Sequence, residues 1–263
     1  MRIWGKVFGF LLGFMAGRIL GALIGLYIGH KFDQGLSLDF NAFNRENDLK
    51  RQNVYFVATF SVMGHITKAS GRVTENEIAF AKHAMHKWGL NSEMQALAKE
   101  SFRVGKQSDF NLSEQLKKLR SATFGRHDLL RMFLEIQIQA AFADGELHPS
   151  EREILHKIAR AFGMSAQELD FILDRIIAGE QFHQGRGAQS ASQKQQHLEN
   201  AYKVLGVTPN CDKQTVKKAY RKLMSQHHPD KLVAKGLPPE LMEDAKQKAQ
   251  DIQAAYELIS QQG

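Results

Sequence analysis

Apolar residues recur three and four positions apart through most of the chain, which is the spacing that lines one face of an α-helix. Between about residues 54 and 177 this spacing is continuous, as in Ile78, Ala81 and Met85. No segment shows the alternation of apolar and polar residues that is typical of a β-strand. The pattern therefore predicts an all-α protein, with a helical bundle over residues 54–178.

Two stretches of the predicted bundle share one pattern. Residues 69–77 and 143–151 both place a small residue and a glycine ahead of a helix start, with the glycines at positions 71 and 145. The residues that suit the ends of the following helices are Thr74 and Ser150 as caps, and Gly89 and Gly163 as terminators. This repetition predicts two pseudo-equivalent helical hairpins packed together.

The N-terminal part has a different composition. Residues 7–30 are apolar apart from Arg18 and a terminal histidine, and they are long enough to cross a bilayer as a helix. A cleaved signal peptide is the alternative, since two cations precede the run, but no small-x-small cleavage site follows it. We therefore predict a short N-terminus (1–6), a transmembrane helix (7–30) and a juxtamembrane segment (31–53).

Glycine occupies every fourth position of this predicted span. Such spacing forms one ridge on a helix, along which a second backbone can approach closely. Glycine is common in membrane helices, but an unbroken fourfold spacing is hard to obtain from composition alone. The pattern predicts a homodimer surface made of Gly9, Gly13, Gly17, Gly21 and Gly25. Arg18, at the middle of the span, either makes a polar contact there or reaches toward the lipid headgroups.

After the bundle the periodicity is lost. Residues 179–196 are rich in glycine, glutamine and serine, which predicts a flexible tether. Helical spacing returns over residues 197–263. The predicted elements are a short helix (199–205), a basic helix (212–226) and a long helix (238–260). The last two can pack as an antiparallel hairpin.

Charge and cysteine content narrow the function classes. The net charge of +7 suggests an acidic or polyanionic partner, either protein, lipid headgroup or nucleic acid. A single cysteine, Cys211, excludes an intrachain disulfide and a cysteine-based zinc site. Four acids near the second repeat could supply oxygen ligands, but turn acids more often cap helices, so we predict no metal and no cofactor. These acids are Asp144, Glu146, Glu151 and Glu153.

The most specific motifs lie near the C-terminus. A His-Pro-Asp tripeptide, residues 228–230, sits between the basic helix and the long helix. Residues 202–207, 219–223 and 255–256 accompany it in an order and spacing that resemble a J-domain. The middle part resembles the TerB-like fold through its Ala-Asp-Gly turn. With the insertion at 232–250, the whole chain resembles the DjlA family, membrane-anchored DnaJ-like proteins of Gram-negative bacteria.

This resemblance implies a co-chaperone rather than an enzyme, acting on a DnaK-type chaperone at the bacterial inner membrane. The tripeptide would engage the partner's ATPase domain and linker and promote ATP hydrolysis. The implied partner-binding residues are His228, Pro229 and Asp230, together with Lys217, Tyr220, Arg221, Lys222 and Lys231. The C-terminal bulk would lie in the cytoplasm and residues 1–6 in the periplasm. Since Lys and Arg flank both ends of the span, charge alone leaves this orientation open.

Two alternatives remain at this point. A TerB-like membrane protein could sense metal ions or stress, with the J-like module as an accessory. The basic helix could instead bind nucleic acid, although we expect no nucleic-acid partner. No serine, cysteine or carboxylate completes a nucleophilic set around His227 and His228, so no catalytic residue is predicted.

Overall fold

The structure is a computed structural model that describes residues 7, 10–12, 14, 21–24, 26–27, 30, 40–69, 71, 75–184 and 190–261. The chain divides into two compact units, Met1–Lys50 and Arg51–Gly263. Among the described residues all regular elements are helical and no strand is present, which confirms the all-α prediction.

In the first unit, the described residues between 7 and 30 are helical. Across the described residues, no helix combines the length and the apolar character needed to span a membrane. Of the predicted dimer surface only Gly21 is described, and it lies in a helical stretch. The positions outside the described residues are Gly9, Gly13, Gly17, Gly25 and Arg18.

From Phe40 onward the described residues form helices that we label in chain order. They are α1 (Phe40–Ala69), α2 (Glu75–Lys87), α3 (Ser92–Gly105), α4 (Leu112–Ala122), α5 (His127–Ala141), α6 (Pro149–Ala161), α7 (Ala166–Gln184), α8 (Ala191–Leu205), α9 (Lys213–His227), α10 (Pro229–Ala234), a 3-10 turn (Pro239–Leu241) and α11 (Met242–Gln261). Several begin at side-chain caps, because the first turn of a helix has unpaired N–H groups. Asn91 caps α3, Asn111 caps α4 and Asp212 caps α9.

The predicted repeat is confirmed by the helix bounds. Helices α2 and α6 begin 74 positions apart, at Glu75 and Pro149, and each has 13 residues. The glycines before and after both helices adopt positive φ, a conformation that glycine reaches without steric cost. These glycines are Gly71, Gly89, Gly145 and Gly163, with φ of 79°, 62°, 90° and 78°.

One predicted cap is wrong. His148, and not Ser150, is the N-cap of α6: its ring accepts a hydrogen bond from the Ser150 N–H, and Glu151 completes a capping box. The Ser150 hydroxyl instead donates to the Ala69 carbonyl at 2.7 Å and so connects the turns of the two repeats. Thr74 lies outside the described residues.

We define the middle domain as the helices from Arg51, within α1, to the end of α7. Aromatic side chains fill its core. Phe133 lies at its centre, with ring centroids 5.8 Å from both Tyr55 and Phe162 in edge-to-face geometry. The Tyr55 hydroxyl donates to the Leu129 carbonyl at 3.0 Å. A buried hydroxyl needs such a partner, and this bond connects the two halves of the repeat.

The C-terminal module consists of helices α8, α9, α10 and α11. Its core includes Val216 and Leu223 of α9 and Ile252 of α11, and Tyr220 stacks on Tyr256 with centroids 4.3 Å apart. The predicted antiparallel hairpin is therefore present. Helix α7 of the middle domain also contributes to this core, through the buried residues Ala178 and Phe182. The end of α7, which belongs to the middle domain, thus packs in the core of the C-terminal module.

The segment after the tripeptide packs on the middle domain. Leu232, Leu237, Leu241 and Ala245 are buried in the hydrophobic core of the middle domain, and not in that of the C-terminal module. We call residues 231–245 the docking segment. The insertion seen in the sequence therefore attaches the C-terminal module to the bundle.

Two boundaries differ from the predictions. Residues 179–184 continue helix α7 and residues 191–196 belong to α8, so most of the predicted tether is helical. Burial explains this result, because Phe182 stacks on His197 with ring centroids 4.3 Å apart. The predicted loop after the basic helix also contains the short helix α10.

Candidate functional site

The tripeptide forms the junction between two helices. His228 ends α9 and also precedes α10, with φ −63° and ψ 121°, the extended conformation that a following proline favours. Pro229 occupies the first turn of α10, where its missing N–H would have no helical partner anyway. The His228 carbonyl accepts from the Leu232 N–H at 3.1 Å. The tripeptide is therefore held between the ends of two helices and is not part of an irregular loop.

The three residues differ in exposure. Asp230 is exposed, and among the described residues its carboxylate has no hydrogen-bond or ion-pair partner. His228 and Pro229 are half-buried, and the His228 Nδ1 atom is buried without a partner. Lys231 is exposed and donates to the Ser225 hydroxyl at 3.1 Å. The turn thus offers a single free negative charge to an incoming protein.

The two faces of helix α9 differ in charge and in burial. The exposed cations are Lys213, Lys217, Lys218, Arg221 and Lys222. Val216, Leu223 and His227 are buried on the opposite side. The structure therefore leaves the predicted residues Lys217, Arg221 and Lys222 exposed, while Tyr220 is half-buried in its stack on Tyr256. Tyr220 serves the packing of the module.

A buried charge cluster, which was not predicted from the sequence, lies behind the turn. Glu135 of α5 is 1% exposed and lies 3.0 Å from the Lys248 ammonium of α11, measured to Oε2. His227, the residue before the tripeptide, is 2% exposed, with its Nε2 3.6 Å from Glu135 Oε1. A signal was available: Glu135 and Lys248 each interrupt an otherwise apolar helix face with opposite charges.

Burial and charge shift the pKa values of this cluster. Burial favours the neutral form of Glu135, but His227 in its protonated form and the cations Lys248 and Arg175 outweigh burial and lower the pKa of Glu135 to about 2. Burial also lowers the pKa of His227 to about 4, although the Glu135 carboxylate opposes that shift. At neutral pH the cluster therefore holds a carboxylate beside a neutral histidine.

These shifts predict a stability that depends on pH. His227 has an ordinary pKa of 6.5 when unfolded and about 4 when folded, so the unfolded chain binds more protons between these values. His227 alone should lower the free energy of unfolding as the pH drops through this window, by about 3 kcal/mol in the limit. Urea unfolding of the full-length chain in detergent, followed by circular dichroism at several pH values, measures this slope.

The matched variant is His227→Gln, which removes the titrating ring. Burial also lowers the pKa of His65, so part of the slope should persist in the variant. We expect the slope between about pH 6.5 and about pH 4 to become clearly shallower. An unchanged slope would show that His227 is not neutral in the folded protein.

Further polar contacts connect the docking segment to the middle domain. Asp244 pairs with Lys87 and accepts from the Trp88 indole N–H at 2.9 Å. Lys235 pairs with Asp128, and its carbonyl accepts from the Arg126 guanidinium. A cavity of about 410 Å³, lined by charges of both signs, lies between the domains. Across the described residues, no group of three or more histidines, cysteines or acids could hold a metal ion.

Three known families match successive parts of the chain. The DjlA co-chaperone transmembrane domain matches residues 1–39, the tellurite resistance protein TerB matches residues 56–173, and the DnaJ domain matches residues 200–263. No solved structure matches the chain. The helical module with its His-Pro-Asp turn, behind a TerB-like bundle and a transmembrane domain, defines a membrane-anchored J-domain co-chaperone.

Whole-chain relatives specify the family. The co-chaperone protein DjlA of Escherichia coli O157:H7 is 52% identical over 240 residues, which cover 89% of this chain and 88% of the relative. Those of Vibrio parahaemolyticus and Aliivibrio fischeri are 49% and 48% identical, and each match covers 98% or more of both proteins. The chain therefore belongs to the DjlA co-chaperone family.

Proposed function

We propose that this co-chaperone stimulates ATP hydrolysis by a DnaK-type chaperone through the His228–Pro229–Asp230 turn. The observation that carries the proposal is the exposed, unpaired Asp230 carboxylate beside the exposed cations of α9. A carboxylate on a rigid turn can bind a cation of the partner without a large loss of conformational entropy. The negative turn and the positive face of α9 together form one recognition surface.

The cations of α9 act earlier than Asp230 in this proposal, while the two proteins approach each other. Lys217, Lys218 and Arg221 are exposed, and together they attract an acidic surface over several ångströms before contact. Such steering raises the association rate and weakens as salt is added. The specific step, pairing of Asp230 with the partner, follows once the two surfaces have met.

A single-turnover ATPase measurement tests the proposal. The full-length chain in detergent micelles is added to a DnaK-type chaperone preloaded with radiolabelled ATP, and the hydrolysis rate is followed. We expect the rate to rise with co-chaperone concentration and to saturate. A rate that stays basal would contradict the proposal, and tight salt-dependent DNA binding in its place would favour the nucleic-acid alternative.

We also propose that the chain is anchored in the inner membrane as a homodimer, with the C-terminal part in the cytoplasm. The family match to a transmembrane domain supports the anchor, and the fourfold glycine spacing supports the dimer. The cytoplasmic side is required because the proposed partner hydrolyses ATP there.

The triple change Gly13→Leu, Gly17→Leu and Gly21→Leu is expected to weaken the dimer, because leucine holds the two backbones apart. Cross-linking in detergent should show a loss of dimer of about tenfold, which corresponds to about 1.4 kcal/mol. The control replaces Leu11, Leu12 and Leu23 with isoleucine, which changes side-chain shape without adding volume. Equal cross-linking of all three proteins would dismiss the glycine ridge.

A further inference from the structure

The contact between the C-terminal module and the middle domain has two unlike sides. On one side, α8 packs along α7, and Ala178 and Phe182 of α7 belong to the module's own core. On the other side, α9 ends against α5, where the buried groups are Glu135 and His227. The first side is continuous with the module, whereas the second joins two separate cores.

The α5 side combines stabilising contacts with buried polar atoms that have no hydrogen-bond partner. Both ring nitrogens of His227 are buried without a hydrogen-bond partner, and so is His228 Nδ1. Each buried polar atom without a partner costs about 1–3 kcal/mol relative to water. A cavity of about 410 Å³ beside Glu135, lined mainly by α2, α7 and α11, leaves further packing contacts unmade. These costs offset part of the stabilisation from the buried apolar residues of the docking segment and from the Glu135–Lys248 ion pair, so opening of this side costs less than those contacts alone would require.

The same side lies beside the proposed recognition surface. Lys222 lines a groove of about 270 Å³ together with Arg131, Glu168 and Phe171 of the middle domain. Leu232, two residues after the tripeptide, is buried in the middle domain's core. A partner that covers Lys222 and the His-Pro-Asp turn would therefore meet the middle domain, while Lys217 and Arg221 remain open to solvent.

We propose that the docked arrangement is a resting state, in which the middle domain covers part of the J-domain's chaperone-facing surface and limits its activity until the α5 side opens. The α7–α8 side acts as the pivot, since it shares the module's core. The docking segment and the end of α9 then leave α5 together. This inference rests on the proposed function, because it concerns access of the same chaperone to the same turn.

The ion pair between Asp128 and Lys235 offers a test outside the recognition surface. Asp128→Lys places two lysines together and should favour opening, while the swap Asp128→Lys with Lys235→Asp restores opposite charges. Asp128 also lies in the first turn of α5, where a negative charge is favourable. The swap variant also lacks this negative charge at the start of α5. If the swap restores docking, the restored ion pair alone accounts for it.

Two measurements on full-length protein in detergent micelles decide the outcome. Asp128→Lys should lower the co-chaperone concentration for half-maximal single-turnover stimulation by about fivefold, and the swap should return it to the wild-type value. Hydrogen exchange of backbone amides in residues 232–241 should quicken in Asp128→Lys and slow again in the swap.

The possible results separate the two proposals. Stimulation by wild type with no change in either variant would overturn the resting state. Faster exchange in Asp128→Lys without a gain in stimulation would also overturn it, because opening would then not control activity. A basal ATPase rate with wild type and both variants would instead refute the proposed function, while exchange would still report the docking.

Discussion

Asp230→Asn in the full-length chain is expected to leave ATP hydrolysis by a DnaK-type chaperone near its basal rate. Asparagine keeps the size of the side chain but loses the negative charge. The Asp230 carboxylate has no partner among the described residues, so the change should not disturb the fold. Loss of one charged partner in a buried pair costs about 2 kcal/mol or more, which is about thirtyfold in the concentration for half-maximal stimulation.

A matched control distinguishes charge at the turn from charge in general. Glu257→Gln removes one exposed acid from α11 of the same module, away from the turn, and should retain full stimulation. His228→Gln should behave like Asp230→Asn, because its ring belongs to the same turn. Circular dichroism should give equal helicity for all four proteins. Undiminished stimulation by Asp230→Asn would remove the basis for assigning this role to the tripeptide.

Gly105→Ala is expected to destabilise the protein strongly. A Cβ atom at Gly105 of α3 would lie 1.8 Å from the Ser61 carbonyl oxygen of α1, which is far inside van der Waals contact. Gly64 of α1 is similarly close to the Phe102 carbonyl of α3, at 2.2 Å. Both obstacles are backbone, so the helices themselves must separate. We expect a loss of about 3 kcal/mol in the free energy of unfolding.

The control for this change is Gly179→Ala in the middle of α7. A Cβ atom there meets nothing within 4 Å, so alanine should stabilise the helix by up to about 1 kcal/mol. Thermal unfolding of the full-length protein in detergent should lower the midpoint of Gly105→Ala by roughly 6–12 °C and leave that of Gly179→Ala unchanged or higher. Equal midpoints for the two variants would mean that α1 and α3 do not approach so closely.

In the repeat, the local sequence pattern predicted the turns but not every helix cap. Residues 71 and 145 were predicted to form turns, and both are glycines at positive φ in the structure. The cap of α6 was assigned to the wrong residue because serine is the more common N-cap, whereas here His148 accepts the hydrogen bond and Ser150 bonds to Ala69, 81 positions earlier. A side chain's choice between near and distant partners depends on what the fold brings beside it.

The predicted tether was wrong for the same kind of reason. Residues 179–196 have the composition of a linker, yet most of them continue α7 or begin α8. One aromatic residue, Phe182, has a buried site in the core of the following module. Composition averages over a segment and cannot show that a single side chain has a place to pack.

The sequence by itself determined the helical class, the repeat in the bundle and the position of the tripeptide between two helices. These features depend on interactions between residues close in the chain: apolar spacing, caps, glycine turns and the conformation imposed by proline. The tertiary structure alone decided that the docking segment packs on the bundle and that Glu135 meets Lys248 and His227. These residues are about a hundred positions apart, and their contact depends on how whole helices pack, which no local pattern encodes.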